Sequence, residues 1–117
     1  MVNITAEEFP HKVRIVKSSD YRVLYREGRK IPSERFVLFG RENGIGHHRL
    51  GLTVSRKVGG AVVRNRVKRL FREIFRRSSG EIPSHYDILV NAKSGCVGAS
   101  YFELRAEFLV SARRLCR

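Results

Sequence analysis

Between Arg56 and Arg77 the sequence carries nine basic residues, Arg56, Lys57, Arg64, Arg66, Lys68, Arg69, Arg72, Arg76 and Arg77, and a lone acid, Glu73. Arginine predominates, and its planar fork of donors suits phosphate oxygens and stacking on exposed bases. A solvated helix face normally mixes charge signs to form i, i+4 pairs, so a run this one-signed points to a polyanion. Asn65 is the neutral polar residue within it, able to contact a base edge, a sugar or a hydrated ion. Bond-breaking chemistry is harder to assemble. No Ser/His/Asp, Cys/His or paired-carboxylate constellation stands out, and acids are scarce outside Glu7, Glu8, Glu27, Glu34 and the C-terminal segment. His47 and His48 are adjacent, which points them apart in extended chain, and no third ligand of suitable spacing accompanies them. Cys96 and Cys116 form no close-spaced pair and read as two reduced thiols without a functional role. The segment Arg56-Lys57-Val58-Gly59-Gly60 matches neither nucleotide-binding glycine pattern. It keeps only the general preference of a helix N-terminus for phosphate or carboxylate.

Composition agrees with this. The 117 residues fit one domain, and a hydrophobic fraction of 42% supports a folded core. The anomaly is charge, with 24 Lys and Arg against 11 Asp and Glu for a formal +13. Nucleic acid is the first partner implied and anionic membrane the second. No apolar run approaches the roughly 18 residues that span a bilayer, and no lipidation signal is visible, which argues against membrane. Glu7 and Glu8 stand where a secretory signal carries positive charge, so a cytoplasmic location is expected.

The basic residues need a scaffold. Residues 61–77 read as one amphipathic helix: Val63, Val67, Leu70 and Ile74 form a core stripe. Arg64, Lys68 and Arg72 make an opposed row, with Asn65, Arg69 and Arg76 a second row beside it. Phe71 and Phe75 fall on the border, either finishing the core or lining a groove. Residues 1–17, with their Phe9-Pro10 pair, read as an extended arm, and 18–117 as a single α/β domain. Ser18, Ser19 and Asp20 are N-cap candidates for a short helix over 21–27 that ends at Gly28 and carries Tyr21 and Tyr25 on one side. These tyrosines are either rim packing or a stacking surface. A short edge strand closed by Pro32, a strand over 36–39 and an alternating strand over 49–55 follow, the last two suited to an antiparallel connection. The basic helix ends at 78–80, with Pro83 beyond it. Residues 87–91 make a central strand covered on both faces. Ser100 is an N-cap candidate for a final helix over 101–115, packed through Phe102, Leu104, Ala106, Leu109, Val110 and Ala112, with Arg113, Arg114 and Arg117 at its end.

A basic helix can enter a DNA major groove, but no helix-turn-helix partner, Cys/His finger or heptad zipper is present. RNA fits better, since a sheet with nearby aromatics and a basic helix can hold single strands and irregular shapes.

The stretch from Lys57 to Glu73, with Arg64-Asn65-Arg66 followed by Lys68-Arg69, closely resembles the signature of the bacterial ribonuclease P protein family. Similarity extends to Gly51-Leu52-Thr53-Val54-Ser55, to Asp20-Tyr21 through Gly28, to Arg35 through Phe39 and to Tyr86-Asp87 through Asn91. The resemblance implies an α+β fold, an α-β-β-β-α-β-α two-layer sandwich with a left-handed β-α-β crossover, like the second domain of ribosomal protein S5. It also implies the protein subunit of an endoribonuclease that removes the 5′ leader of precursor tRNA, in a 1:1 complex with a catalytic RNA that performs hydrolysis with Mg2+. By the same resemblance Arg64, Asn65, Arg66, Lys68, Arg69 and Arg72, with Arg56 and Lys57, meet the catalytic RNA. A cleft of Tyr21, Tyr25, Phe36 and Leu38 meets the leader. Many relatives carry phenylalanines at the two tyrosine positions; tyrosines keep the stacking surface and add hydroxyls. The competing expectation is a non-enzymatic structural RNA-binding protein, such as a ribosomal component.

Overall fold

An apolar strand with no polar side needs neighbours on both edges and cover on both faces, and the strand around residues 87–91 receives all four. The computed structural model describes residues 11–82 and 85–116. Its elements run α1 (Ser18–Glu27), β1 (Arg29–Pro32), β2 (Phe36–Glu42), β3 (Arg49–Thr53), α2 (Ala61–Ser78), β4 (Tyr86–Ala92) and α3 (Tyr101–Leu115), the expected α-β-β-β-α-β-α order. The four strands form one sheet in the order β1-β2-β4-β3. β4 runs antiparallel to β2 and parallel to β3. The loop after β2 therefore reverses the chain as expected but closes no hairpin, because β4 inserts between β2 and β3 after α2 has carried the chain across.

Side-chain alternation divides the sheet into two faces. Phe36, Leu38, Leu50, Ile88 and Val90 join Val67, Leu70, Ile74, Leu104 and Phe108 of α2 and α3 in the main core. Phe39 and Leu89 point the other way, where Leu24 of α1 and Ile15 of the arm close over them. The sheet and its α2/α3 layer form the sandwich, and α1 covers part of the remaining face. Phe71 and Phe75 finish the core at 1% and 4% exposure, Phe71 meeting Phe36 edge-on with ring centroids 5.3 Å apart.

Helix ends follow local chemistry in part. Ser100 and Glu103 form the reciprocal capping box that starts α3. α1 instead begins at Ser18 with Lys17 at the cap position and no side-chain cap, so Ser18, Ser19 and Asp20 occupy its first turn. Asp20 approaches Arg49 at 3.8 Å. Gly28 does end α1, in extended conformation, where a Cβ would stand 2.6 Å from the Leu24 carbonyl oxygen. On α3 the buried stripe is Leu104, Phe108, Ala112 and Leu115 with Leu109 beside it, whereas Phe102 and Val110 are exposed. Phe102, Ala106 and Val110 share a different side of the helix and turn to solvent. Of the expected arm, residues 1–10 lie outside the described residues, as do Pro83 and Arg117. His11–Val13 forms a 3-10 turn, and Arg14 bridges Leu50 in parallel.

Two ionic locks tie charged side chains into the fold, one across strands and not legible in the sequence, the other within α2. Arg49 reaches Asp87 through two hydrogen bonds of 2.8 and 2.6 Å, and the Asn43 amide donates to the same carboxylate at 2.9 Å. Glu73, 2% exposed, accepts from Arg76 at 2.7 Å and also from Arg77. Burial alone would raise the Glu73 carboxyl, but the hydrogen bonds from both arginines outweigh it and hold it below the ordinary range. Its contribution is therefore present above the unfolded carboxyl's pKa and lost as pH falls through the lower folded value. Glu73→Gln is expected to cost about 1–2 kcal/mol at pH 7, discounted for the partly exposed arginines. Urea titrations should show the gap between variant and parent closing in acid; a gap unchanged down to pH 3 would remove the charge from the account.

Candidate nucleic-acid interface

α2 serves two environments at once. Val67, Leu70 and Ile74 are 0–2% exposed in the core, while Asn65, Arg66 and Arg69 are exposed and Arg64, Lys68 and Arg72 are half-buried along the adjoining row. Arg76 and Arg77 fold back onto Glu73, so the second basic row is shorter than its spacing suggests. Arg56 and Lys57 are exposed in the turn before α2, a turn held by the Val58 amide donating to the Ser55 carbonyl at 3.0 Å. The start of α2 has neither a side-chain cap nor an acid in its first turn. Its free amides add positive potential to that of the cations.

The second candidate surface lies on the other face of the sheet. The Tyr21 hydroxyl donates to the Ile15 carbonyl at 3.1 Å, and burial is the main cause that raises its pKa. Its ring rests on Gly51, where a Cβ would stand 3.0 Å from a ring carbon, so this strand position must be flat. The Tyr25 hydroxyl donates to Thr53 Oγ1 at 3.2 Å, and its ring meets Phe39 edge-on at 4.8 Å while remaining 43% exposed.

Phe36 and Leu38 do not join the tyrosines. Both are 0% exposed and belong to the core under α2 and α3, on the opposite side of the sheet. Their strand neighbours Val37 and Phe39 face α1 instead. The cross-strand register sets Val37 opposite Asn91 and Thr53 opposite Asn91, so Val37, Asn91 and Thr53 form the open row of that face. Lys30 extends it, its ammonium 5.9 Å from the Phe39 ring centroid. Residues 36–39 are all apolar, so strand alternation alone could not reveal which pair faced the core. Gly51, lying flat between leucines, was the usable sign that a ring packs there.

His48 has a structural role. His48 Nδ1 accepts from the Tyr86 amide at 3.0 Å, and burial followed by neighbouring His85 lowers its pKa. Among the described residues no group of His, Cys, Asp or Glu could hold a metal ion, both cysteines are free, and no helix is long and apolar enough to cross a membrane. The arrangement presents cationic side chains and ring faces, and the carboxylates of Glu73 on α2 and Asp87 on β4 are committed to arginines.

The chain is similar to known proteins along most of its length. A family model described as Ribonuclease P matches residues 9–116. The ribonuclease P protein component of Alkaliphilus metalliredigens (strain QYMF) is 34% identical over 102 residues, covering 87% of this chain and 92% of the relative. That of Thermotoga maritima is 43% identical over 84 residues, covering 72% of each. Among solved structures, the Staphylococcus aureus RNase P protein superposes with a TM-score of 0.79 at 30% identity, over 90% of this chain and 98% of the other. The Thermotoga maritima RNase P protein gives 0.78 at 35% identity, over 86% and 96%.

The division between core and cleft is testable without any ligand. Phe36→Ala is expected to cost about 3–5 kcal/mol of stability, and Tyr25→Ala about 1 kcal/mol or less. Comparable losses in denaturant titrations would contradict this division.

Proposed function

The chain belongs to the bacterial ribonuclease P protein family, and on that premise we propose that the basic face of α2 docks the catalytic RNA while the cleft between α1 and the sheet receives the single-stranded 5′ leader of precursor tRNA. The protein is then the non-catalytic subunit of the endoribonuclease that matures tRNA 5′ ends, acting in the cytoplasm as a 1:1 complex with that RNA. The observation that carries this reading is the juxtaposition of a one-signed helix face with an open aromatic cleft, without hydrolytic side chains at either.

Arg64, Asn65, Arg66, Lys68, Arg69 and Arg72, extended by Arg56 and Lys57, meet the phosphates of the catalytic RNA. Forked guanidinium contacts fix orientation as well as supply charge. Tyr21 and Tyr25 form the aromatic wall for the leader, with Val37, Phe39, Thr53 and Asn91 taking the place first expected of Phe36 and Leu38. Bases stack on rings with little sequence preference, which suits a leader that differs between substrates. Hydrolysis uses Mg2+ held by the RNA; cations of this chain neutralise phosphates nearby, so less free Mg2+ is needed to hold the complex together. Family membership disfavours a purely structural ribosomal role.

Reconstitution tests the proposal. Adding the protein to a bacterial ribonuclease P RNA at low Mg2+ should accelerate precursor-tRNA cleavage; no acceleration would end this reading. Arg64→Ala with Arg69→Ala should weaken binding to the catalytic RNA and reduce the salt slope of log affinity by about 2. Tyr21→Ala should weaken precursor binding about 5- to 100-fold, the range for a lost base–ring stack, and leave mature tRNA nearly unaffected. Equal losses for both RNAs would remove its leader role.

A further inference from the structure

α3 packs over β1 and β2, at the opposite edge of the sheet from β3, where α2 packs. Its outward side carries an apolar row. Phe102 is 78% exposed and Val110 56%, and exposed Ala106 stands one turn from each. Single apolar residues are ordinary on a surface, but a row at i, i+4 and i+8 makes a continuous stripe about 12 Å long. The charges beside it are ordered along the helix. Glu103 and Glu107 flank its N-terminal half, and exposed Arg113 and Arg114 follow its C-terminal end.

A groove of about 420 Å³ runs beside the stripe between α3 and the end of β1, lined by Glu103, Glu107 and Arg114 as well as by Ala106, Val110 and Pro32. Arg35 bonds both acids, at 3.1 and 3.0 Å, and exposed Glu34 lies next to it in sequence. Three acids around one groove, on a chain of formal charge +13, make this a poor surface for a polyanion. A face that is acidic at its start, apolar in its middle and basic at its end is instead complementary to an antiparallel copy of itself.

We infer that α3 is a self-association surface, on which two copies of this chain pair antiparallel about a two-fold axis between Ala106 and Val110. Each Ala106 then lies opposite Val110 of the other copy, its small side chain letting the helices approach. Phe102 reaches Leu109 and Arg113 of the other copy, and Glu103 reaches its Arg114, each contact being made twice. The antiparallel helix dipoles also favour this arrangement. Because the groove opens at the β1 edge, the basic row of α2 stays free on both copies, and each keeps its own RNA at the same 1:1 ratio. One helix pair makes a small interface, so the association is weak and reversible. The charge on each copy opposes it until salt or RNA screens the repulsion.

Sedimentation equilibrium of the intact protein in about 0.5 M NaCl, where screening acts within a few ångströms, should show a reversible monomer–dimer equilibrium. Phe102→Ala should weaken it about tenfold, as loss of a central aromatic contact does, and Arg114→Glu about fivefold. Both residues are exposed, so thermal melts of these variants should match the parent. Ile45→Ala, which trims another exposed apolar side chain in the loop after β2, should leave association unchanged. Monomer at every concentration, or equal weakening by Phe102→Ala and Ile45→Ala, would overturn the pairing. A protein that stays monomeric yet accelerates precursor-tRNA cleavage loses this surface and keeps the function proposed above.

Discussion

β4 has apolar side chains on both faces, and Ile88, Leu89 and Val90 are all fully buried. A strand of this kind cannot leave either side in water, so the fold must supply two hydrophobic covers of unequal size. The larger comes from α2 and α3, the smaller from α1 and the arm. The smaller cover leaves part of its face open, and that opening is the cleft. Both candidate surfaces thus descend from one burial requirement: α2 lies where it does because β4 must be covered, and its outward side is free to carry charge.

That outward side runs against stability. Positive residues along one helix repel one another, and the fold tolerates them selectively. Toward the C-terminal end, buried Glu73 gathers Arg76 and Arg77 into a local neutral cluster. Toward the N-terminal end no acid occurs in the first turn, and the cations from Arg64 to Arg72 have no carboxylate among them. The helix therefore carries its own balancing acid at one end and none at the other. Under the proposed function the partner is RNA, and the position of Glu73 marks where its contact surface stops.

Much of this was legible in the residues. Helix periodicity placed α2 and its two sides, the apolar run placed β4 at the centre, and Ser100 marked the start of α3. What failed shares one cause: local pattern carries no information about a partner distant in sequence. The antiparallel sense of β2 and β3 was legible, but the insertion of β4 between them was not, because that strand appears only later in the chain. Phe36 and Leu38 could not be told from Val37 and Phe39 because four consecutive apolar residues have no polar side to orient them. Arg49 and Asp87 lie on different strands and meet only through the sheet register. Phe102, Ala106 and Val110 face solvent rather than the sheet; α3, rich in apolar side chains on several sides, does not reveal which stripe packs.

The insertion of β4 also shapes how the molecule is made. Its register joins Phe36 to Ala92 and Arg49 to Asp87, so the sheet closes only through contacts between residues far apart in the chain. β1 and β2 can pair as soon as they leave the ribosome, and α2 can form its own turns, but neither has a core until residues 86–92 follow. Synthesis therefore passes through a nascent chain already carrying its full basic helix, with the apolar stripe of that helix still without a sheet to cover it. Folding becomes a late, concerted event, and for that interval the same charges that serve the finished protein keep the unfinished one apart from its copies.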